Sequence, residues 1–197
     1  PPSFVVEEYK KYSPTIGKAI NGAGGYGGLR ELRGTMYSWL KTRHAVKSKT
    51  FSENNVIGTN GGAEGIFSAI QILAEGERDG YIVLPNPSDP IYETAARIAG
   101  LEPIYCSTMT SQQPTYRDIT EEQWPKVKIV VVNSPADPYG ADLPVLTWEF
   151  LLKQSEELGF FILSDERLNS IHRGKPSPGL LEMADTYDNP DMNRCVC

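Results

Sequence analysis

The sequence predicts a three-layer α/β/α domain built on a mostly parallel sheet, the large-domain type of architecture, incomplete at both ends. Three observations carry this reading. Short apolar runs recur at residues 81–84, 129–132 and 160–163, each bounded by turn-forming residues. Helical stretches with apolar positions on one side separate these runs. The runs are apolar throughout rather than alternating, which marks strands covered on both faces, and strands that alternate with helices pair in parallel.

The elements follow in order. Residues 4–11 are expected to form a short helix. The glycine-rich passage 21–28, NGAGGYGG, is too permissive in its backbone for regular structure. Residues 29–44 place Leu29, Leu32, Met36, Trp39 and Leu40 at helical spacing. The stretch VIGTNGGAEGIFSAIQIL is expected to run a short strand into Gly61-Gly62, then a helix bearing Ile66, Phe67, Ile70 and Leu73. Residues 81–84 are a strand ended by Pro85-Asn86-Pro87, and 91–99 a helix closed by Gly100 as its C-cap. Strands are expected at 103–106, 129–132 and 160–163, the last ending in Ser164-Asp165-Glu166, with a helix over 146–158. A polar segment before residue 129 carries Tyr116 and Trp124. Without an internal repeat, low-complexity tract or linker, residues 1–197 read as a single domain. The start at Pro1-Pro2 and the end at Cys195-Val196-Cys197, where a strand is beginning, lead us to expect further chain on both sides.

Composition narrows the function classes. A net charge of −6 and a pI near 5.0 argue against nucleic acid as a partner, because phosphate contacts need clustered Lys and Arg. No apolar run approaches the roughly 20 residues that cross a bilayer, so no membrane span is expected. Three cysteines, Cys106, Cys195 and Cys197, make no disulfide framework or CxxC pair. The two histidines, His44 and His172, make a histidine metal site or a Ser-His-Asp triad a poor fit. A reducing, cytoplasmic setting is expected, and an organelle matrix fits equally.

Ligands gather at the carboxyl ends of strands in open parallel sheets. Here those ends carry residues 59–62, Asn86-Pro87, the loop NSPADPYGA at 133–141, and Asp165. Gly61-Gly62-Ala63-Glu64 lies where the chain enters a helix. Its small residues let the backbone approach a ligand, and helix N-terminal N–H groups attract phosphate. The alternative is a plain turn. It is neither a Walker loop, since no Lys-Ser or Lys-Thr follows, nor a GxGxxG fingerprint.

Four segments occur in order: TNGGAEGIFSAI, DGYIVLPNPSDPIYETAARIAGLEPIY, VVVNSPADPYGADL and LGFFILSDERLNSIHRG. Together they resemble the large domain of the class I/II aminotransferases, the fold-type-I enzymes that use pyridoxal 5′-phosphate (PLP). The likeness is nearest to alanine aminotransferase and succinyldiaminopimelate aminotransferase. It implies that Gly62 and Ala63 offer backbone N–H groups to the cofactor phosphate. It also implies that Asp165 pairs with the pyridine nitrogen, keeping it protonated as the electron sink of transamination. A structural role for Asp165, as cap or turn former, is the alternative. Tyr26 falls near the family tyrosine that reaches the phosphate of a neighbouring subunit.

Three positions depart from the family pattern. Asp137 stands where an asparagine donates to the ring's phenolic oxygen, and an ionised carboxylate has no donor. Asp89 stands where an aromatic ring stacks on the cofactor. Leu168 stands where a tyrosine also bonds the phenolic oxygen. The family's Schiff-base lysine of the SxSK motif and the substrate-carboxylate arginine of its C-terminal small domain are absent from this chain, so no catalytic residue is assigned and the chain alone is expected to be inactive. PLP is the cofactor the resemblance implies, bound weakly or lost here. Three readings remain open: a degenerate aminotransferase-like binding or structural subunit, part of an active PLP-dependent enzyme that passes an amino group to a 2-oxo acid, or a small-molecule site put to another use. A homodimer or a larger assembly is expected from the same resemblance.

Overall fold

The computed structural model describes residues 1–20, 27–74, 79–187 and 194–197, with no side chains for residues 14–20. The chain divides into two compact units, residues 1–59 and 60–197.

In the second unit, five strands form one parallel sheet: β1 (Tyr81–Asn86), β2 (Glu102–Ser107), β3 (Val127–Asn133), β4 (Phe161–Asp165) and β5 (Cys195–Val196), in the order β2-β1-β3-β4-β5. Side chains alternate across each strand, and the alternation feeds two separate cores. Ile82, Leu84, Ile129, Val131 and Leu163 pack with Ile66, Ile70, Tyr92, Ala95 and Ala96 of α3 (Gly62–Leu73) and α4 (Pro90–Ala99). Val83, Val130, Val132 and Ile162 pack with Trp148, Leu151, Leu152, Leu180 and Met183 of α5 (Val145–Leu158) and α6 (Leu180–Thr186). Helices therefore cover both faces, which explains why these strands read as continuous apolar runs. The expected α/β architecture with a parallel sheet is the one found.

The path β1-α4-β2 leads to one edge, and the chain then crosses back to build β3 and β4 on the other side of β1. That reversal puts a crevice outside the carboxyl ends of β1 and β3, the usual ligand position in such sheets. Gly100 closes α4 in the left-handed conformation, φ 83°, as a glycine C-cap should.

The first unit is helical, with α1 (Ser3–Ile20) and α2 (Arg30–Arg43). A single 3-10 turn, Glu53–Asn55, is fixed by a capping box between Ser52 and Asn55. The Arg30 guanidinium pairs with Glu53 of this turn, and Arg33 Nη1 donates to the Glu53 carbonyl.

Sequence and structure differ in three places. The helix expected over residues 4–11 runs on to Ile20. The strand expected before Gly61 is absent among the described residues: 56–59 have no neighbouring strand to complete a ladder, and the Gly58 N–H donates instead to the Gly27 carbonyl. Helix α6 was not expected; it is short, and Glu166 Oε1 accepts its first N–H, from Leu180, at 2.7 Å. Of the glycine-rich passage, residues 21–26 lie outside the described residues. No described helix is long and apolar enough to cross a membrane, and the three cysteines form no disulfide.

Candidate functional site

Asp165 is the last residue of β4, only 4% exposed, in register with Asn133 at the end of β3. A carboxylate buried at a strand end needs partners, and two neighbouring elements supply them. The Tyr92 hydroxyl, from the first turn of α4, donates to Asp165 Oδ2 at 2.6 Å. Burial first and this carboxylate second hold the Tyr92 phenol well above its ordinary range. The chain then turns back on itself, so that the Arg167 N–H donates to Asp165 Oδ1 at 3.2 Å. The Arg167 side chain reaches the same carboxylate, with Nε 3.0 Å from Oδ1 and 2.9 Å from Oδ2.

Asp89 joins this cluster from a different element. It is the N-cap of α4, Oδ1 accepting the Ile91 N–H at 3.0 Å ahead of Pro90. Its other oxygen, Oδ2, lies 3.1 Å from Arg167 Nη2. One guanidinium thus joins the two carboxylates. Burial works against the Arg167 charge, but Asp165 and then Asp89 more than offset it and hold the guanidinium above its ordinary range.

Gly62 opens α3 behind Gly61, whose φ of +114° suits glycine alone. A Cβ on Gly62 would meet Arg167 Cδ at 3.2 Å and Cγ at 3.6 Å, so the arginine stem lies against this glycine. Ala63 follows on the exposed helix start. Glu64 folds back onto Asn60, accepting its backbone N–H and, at 3.3 Å, its side-chain amide.

The loop after β3 is held from within. Asn133 Oδ1 accepts the Asp137 N–H at 2.6 Å, and Asn133 Nδ2 donates to the Asp165 carbonyl at 3.3 Å. The Ala136 N–H donates to the Ala141 carbonyl and the Gly140 N–H to that of Ala136. The buried Gln113 amide donates to the carbonyls of Asn133 and Ala141, the two ends of the loop. The peptide bonds Asn86–Pro87, Ser134–Pro135 and Asp137–Pro138 are cis. Asp137 itself is exposed.

Gly62, Asp89 and Asp165 are therefore brought together through one side chain. Leu168 is half-buried in the turn after Asp165, and Tyr26 lies outside the described residues. Sequence reasoning missed Arg167 and Tyr92. Tyr92 sits at a helical spacing indistinguishable from plain core. Arg167 carried one signal, a cation two residues beyond a strand-terminal aspartate. Among the described residues no group of histidine, cysteine or acidic side chains could hold a metal ion.

A doubly covered parallel sheet, with an acid at the end of an inner strand and a glycine-led helix start beside it, is the arrangement that the resemblance to the fold-type-I PLP enzymes implies. The family model for aminotransferase class I and II matches residues 1–186, and the chain belongs to this family. A (5-formylfuran-3-yl)methyl phosphate transaminase from Methanocaldococcus jannaschii is 27% identical over 150 residues, 75% of this chain and 36% of that protein. An aminotransferase structure from Neisseria meningitidis superposes with a TM-score of 0.77 at 31% identity, covering 86% of this chain and 43% of the other. Alanine aminotransferase from Pyrococcus furiosus gives a TM-score of 0.72 at 27% identity, covering 92% of this chain and 45% of that one. The chain thus spans less than half the length of these relatives.

Proposed function

We propose that this chain is the large-domain part of an aminotransferase-like protein whose cofactor pocket has been reassigned, and that it serves as a binding or structural subunit. One observation carries the reading. The Asp165 carboxylate, the group that would pair with the pyridine nitrogen, is spent on Tyr92 and Arg167. The residues at the neighbouring positions fit PLP no better. Asp89 presents a carboxylate where a ring should stack, Asp137 has no donor to offer, and Leu168 cannot hydrogen-bond.

The share of its relatives that the chain spans supports a second reading, in which it is part of an active PLP-dependent enzyme that transfers an amino group to a 2-oxo acid. One experiment separates the two. The protein in its natural length is incubated with PLP, reduced with borohydride and mapped by peptide mass spectrometry. The first reading expects no single lysine to be labelled stoichiometrically. One lysine fully labelled, with an aldimine absorbance that shifts on adding an amino acid, selects the second.

As an aminotransferase-family subunit the chain is also proposed to act as a homodimer or within a larger assembly, in a reducing compartment such as the cytoplasm. Phe4, Tyr9 and Tyr12 on α1 and Trp39 on α2 are exposed, and apolar surface of this kind is what a partner covers. Light scattering across a concentration series is expected to give at least twice the subunit mass. A monomer mass throughout refutes this part of the reading.

A further inference from the structure

We infer that Arg167 is the residue that closes the pocket: its guanidinium stands as a tethered cation at Asp165, in the place a protonated ring nitrogen would take. The inference rests on the reassigned-pocket reading and names what reassigned it. Gly62 at the start of α3, Asp89 before α4 and Asp165 at the end of β4 come from three elements well separated in sequence. One side chain touches all three. Its stem lies on the open face of Gly62, Nε is within 3.0 Å of both Asp165 oxygens, and Nη2 is 3.1 Å from Asp89.

Charge explains why the arrangement holds. Two carboxylates from separate elements converge, and without a cation between them they repel. Each is also held by a second donor, Asp89 by the Ile91 N–H on its other oxygen and Asp165 by the Tyr92 hydroxyl on Oδ2, so neither can swing away without losing a bond. A planar cation answers both, and the guanidinium fork is built for two-point contact with carboxylates. Being part of the chain, it is present at a high effective concentration that a free ligand must outcompete. A guanidinium and a ring cannot both pair with the same Asp165 oxygens. The Arg167 side chain is 42% exposed, however, so its hold is that of a partly solvated ion pair, and its removal should be measurable without collapse of the fold.

The place it fills therefore suits a flat cationic ring carrying an anionic tail toward the start of α3. The probe is pyridoxamine 5′-phosphate, which has no aldehyde and cannot react with surface lysines. Binding to the natural-length protein is measured by equilibrium dialysis, for wild type, Arg167→Ala, Arg167→Gln and Arg167→Ala with Asp165→Asn. Both single variants are expected to bind at least about tenfold more tightly than wild type, and Asp165→Asn should cancel the gain. Folded single variants within twofold of wild type overturn the assignment, as does a gain that survives Asp165→Asn. Should those variants unfold, Arg167→Met decides. It keeps an apolar stem against Gly62 but removes the charge at Asp165, and affinity no higher than wild type overturns the assignment. A wild-type protein that forms a stoichiometric aldimine with PLP defeats the proposed function itself. Equally weak binding by wild type and folded variants removes only the role given to Arg167.

Discussion

Replacing Trp148 by alanine is expected to lower the free energy of unfolding by about 3–5 kcal/mol, the usual range for truncating a fully buried large aromatic side chain. Trp148 has no exposed surface and is the largest fully buried side chain among the described residues, on the face of α5 that meets the sheet. It shares its core with Leu143, Leu151, Leu152 and Val132, all buried in a close-packed interior, so the cavity cannot close over cheaply. Phenylalanine separates volume from polarity. Among the described residues Trp148 Nε1 is buried with no hydrogen-bond partner. Trp148→Phe removes that unsatisfied donor while keeping most of the ring, so it should cost about 1–2 kcal/mol. Urea unfolding with unchanged m-values is the measurement. A phenylalanine variant as damaged as the alanine variant would show that the indole N–H is satisfied after all.

The second large effect is expected at Asp165. Asp165→Ala strips the buried Tyr92 hydroxyl of its acceptor, which should cost about 1–3 kcal/mol. The Arg167 guanidinium also loses a partner, but it is exposed enough to regain water and adds little. Tyr92→Phe in the Asp165→Ala background should then be nearly silent, giving a coupling of about 1–2 kcal/mol in a double-mutant cycle. The alkaline arm of the stability curve offers an independent check. Folding raises the Tyr92 pKa from its ordinary 10.0, through burial and then through Asp165. Above pH 10 the unfolded chain releases this proton before the folded chain does, so stability falls as pH rises; below pH 10 the group adds no slope. Asp165→Ala should bring the upper end of that fall down in pH, because burial alone then holds the phenol, and an end point that does not move would mean that Asp165 does not hold it.

The sheet was legible because its central strands are covered on both faces, and a β-branched run as short as Ile129-Val130-Val131-Val132, so close to turn residues, favours a buried strand over a helix. The supposed strand before Gly61 failed for the opposite reason: an extended apolar look does not supply a neighbour to pair with. Helix α6 escaped notice because its start depends on Glu166, a side chain that acts across a loop. At the site, Asp165 could be found because an acid that ends an apolar run must be explained. Arg167 left only a faint trace, a cation two residues further on, since its second partner arrives only once the turn between β1 and α4 has delivered Asp89 beside it. Asp89 was legible only as a departure from a pattern, whereas in the fold it is also the cap of α4. A residue's local duty and its long-range duty leave different traces, and a sequence records the first more readily.

The clamp that Gln113 puts on the two ends of the loop at residues 133–141 bears on how any other molecule would meet this face. Its amide ties the carbonyls of Asn133 and Ala141, while Asn133 ties the middle of the loop to its own strand and to β4. The segment lies at the surface with its conformation settled as the chain folds. The entropy of ordering it therefore falls on folding, and little is left to be lost on an encounter. Whatever approaches here meets a preset template and is selected by shape, so recognition on this side of the molecule is a matter of lock and key more than of mutual moulding.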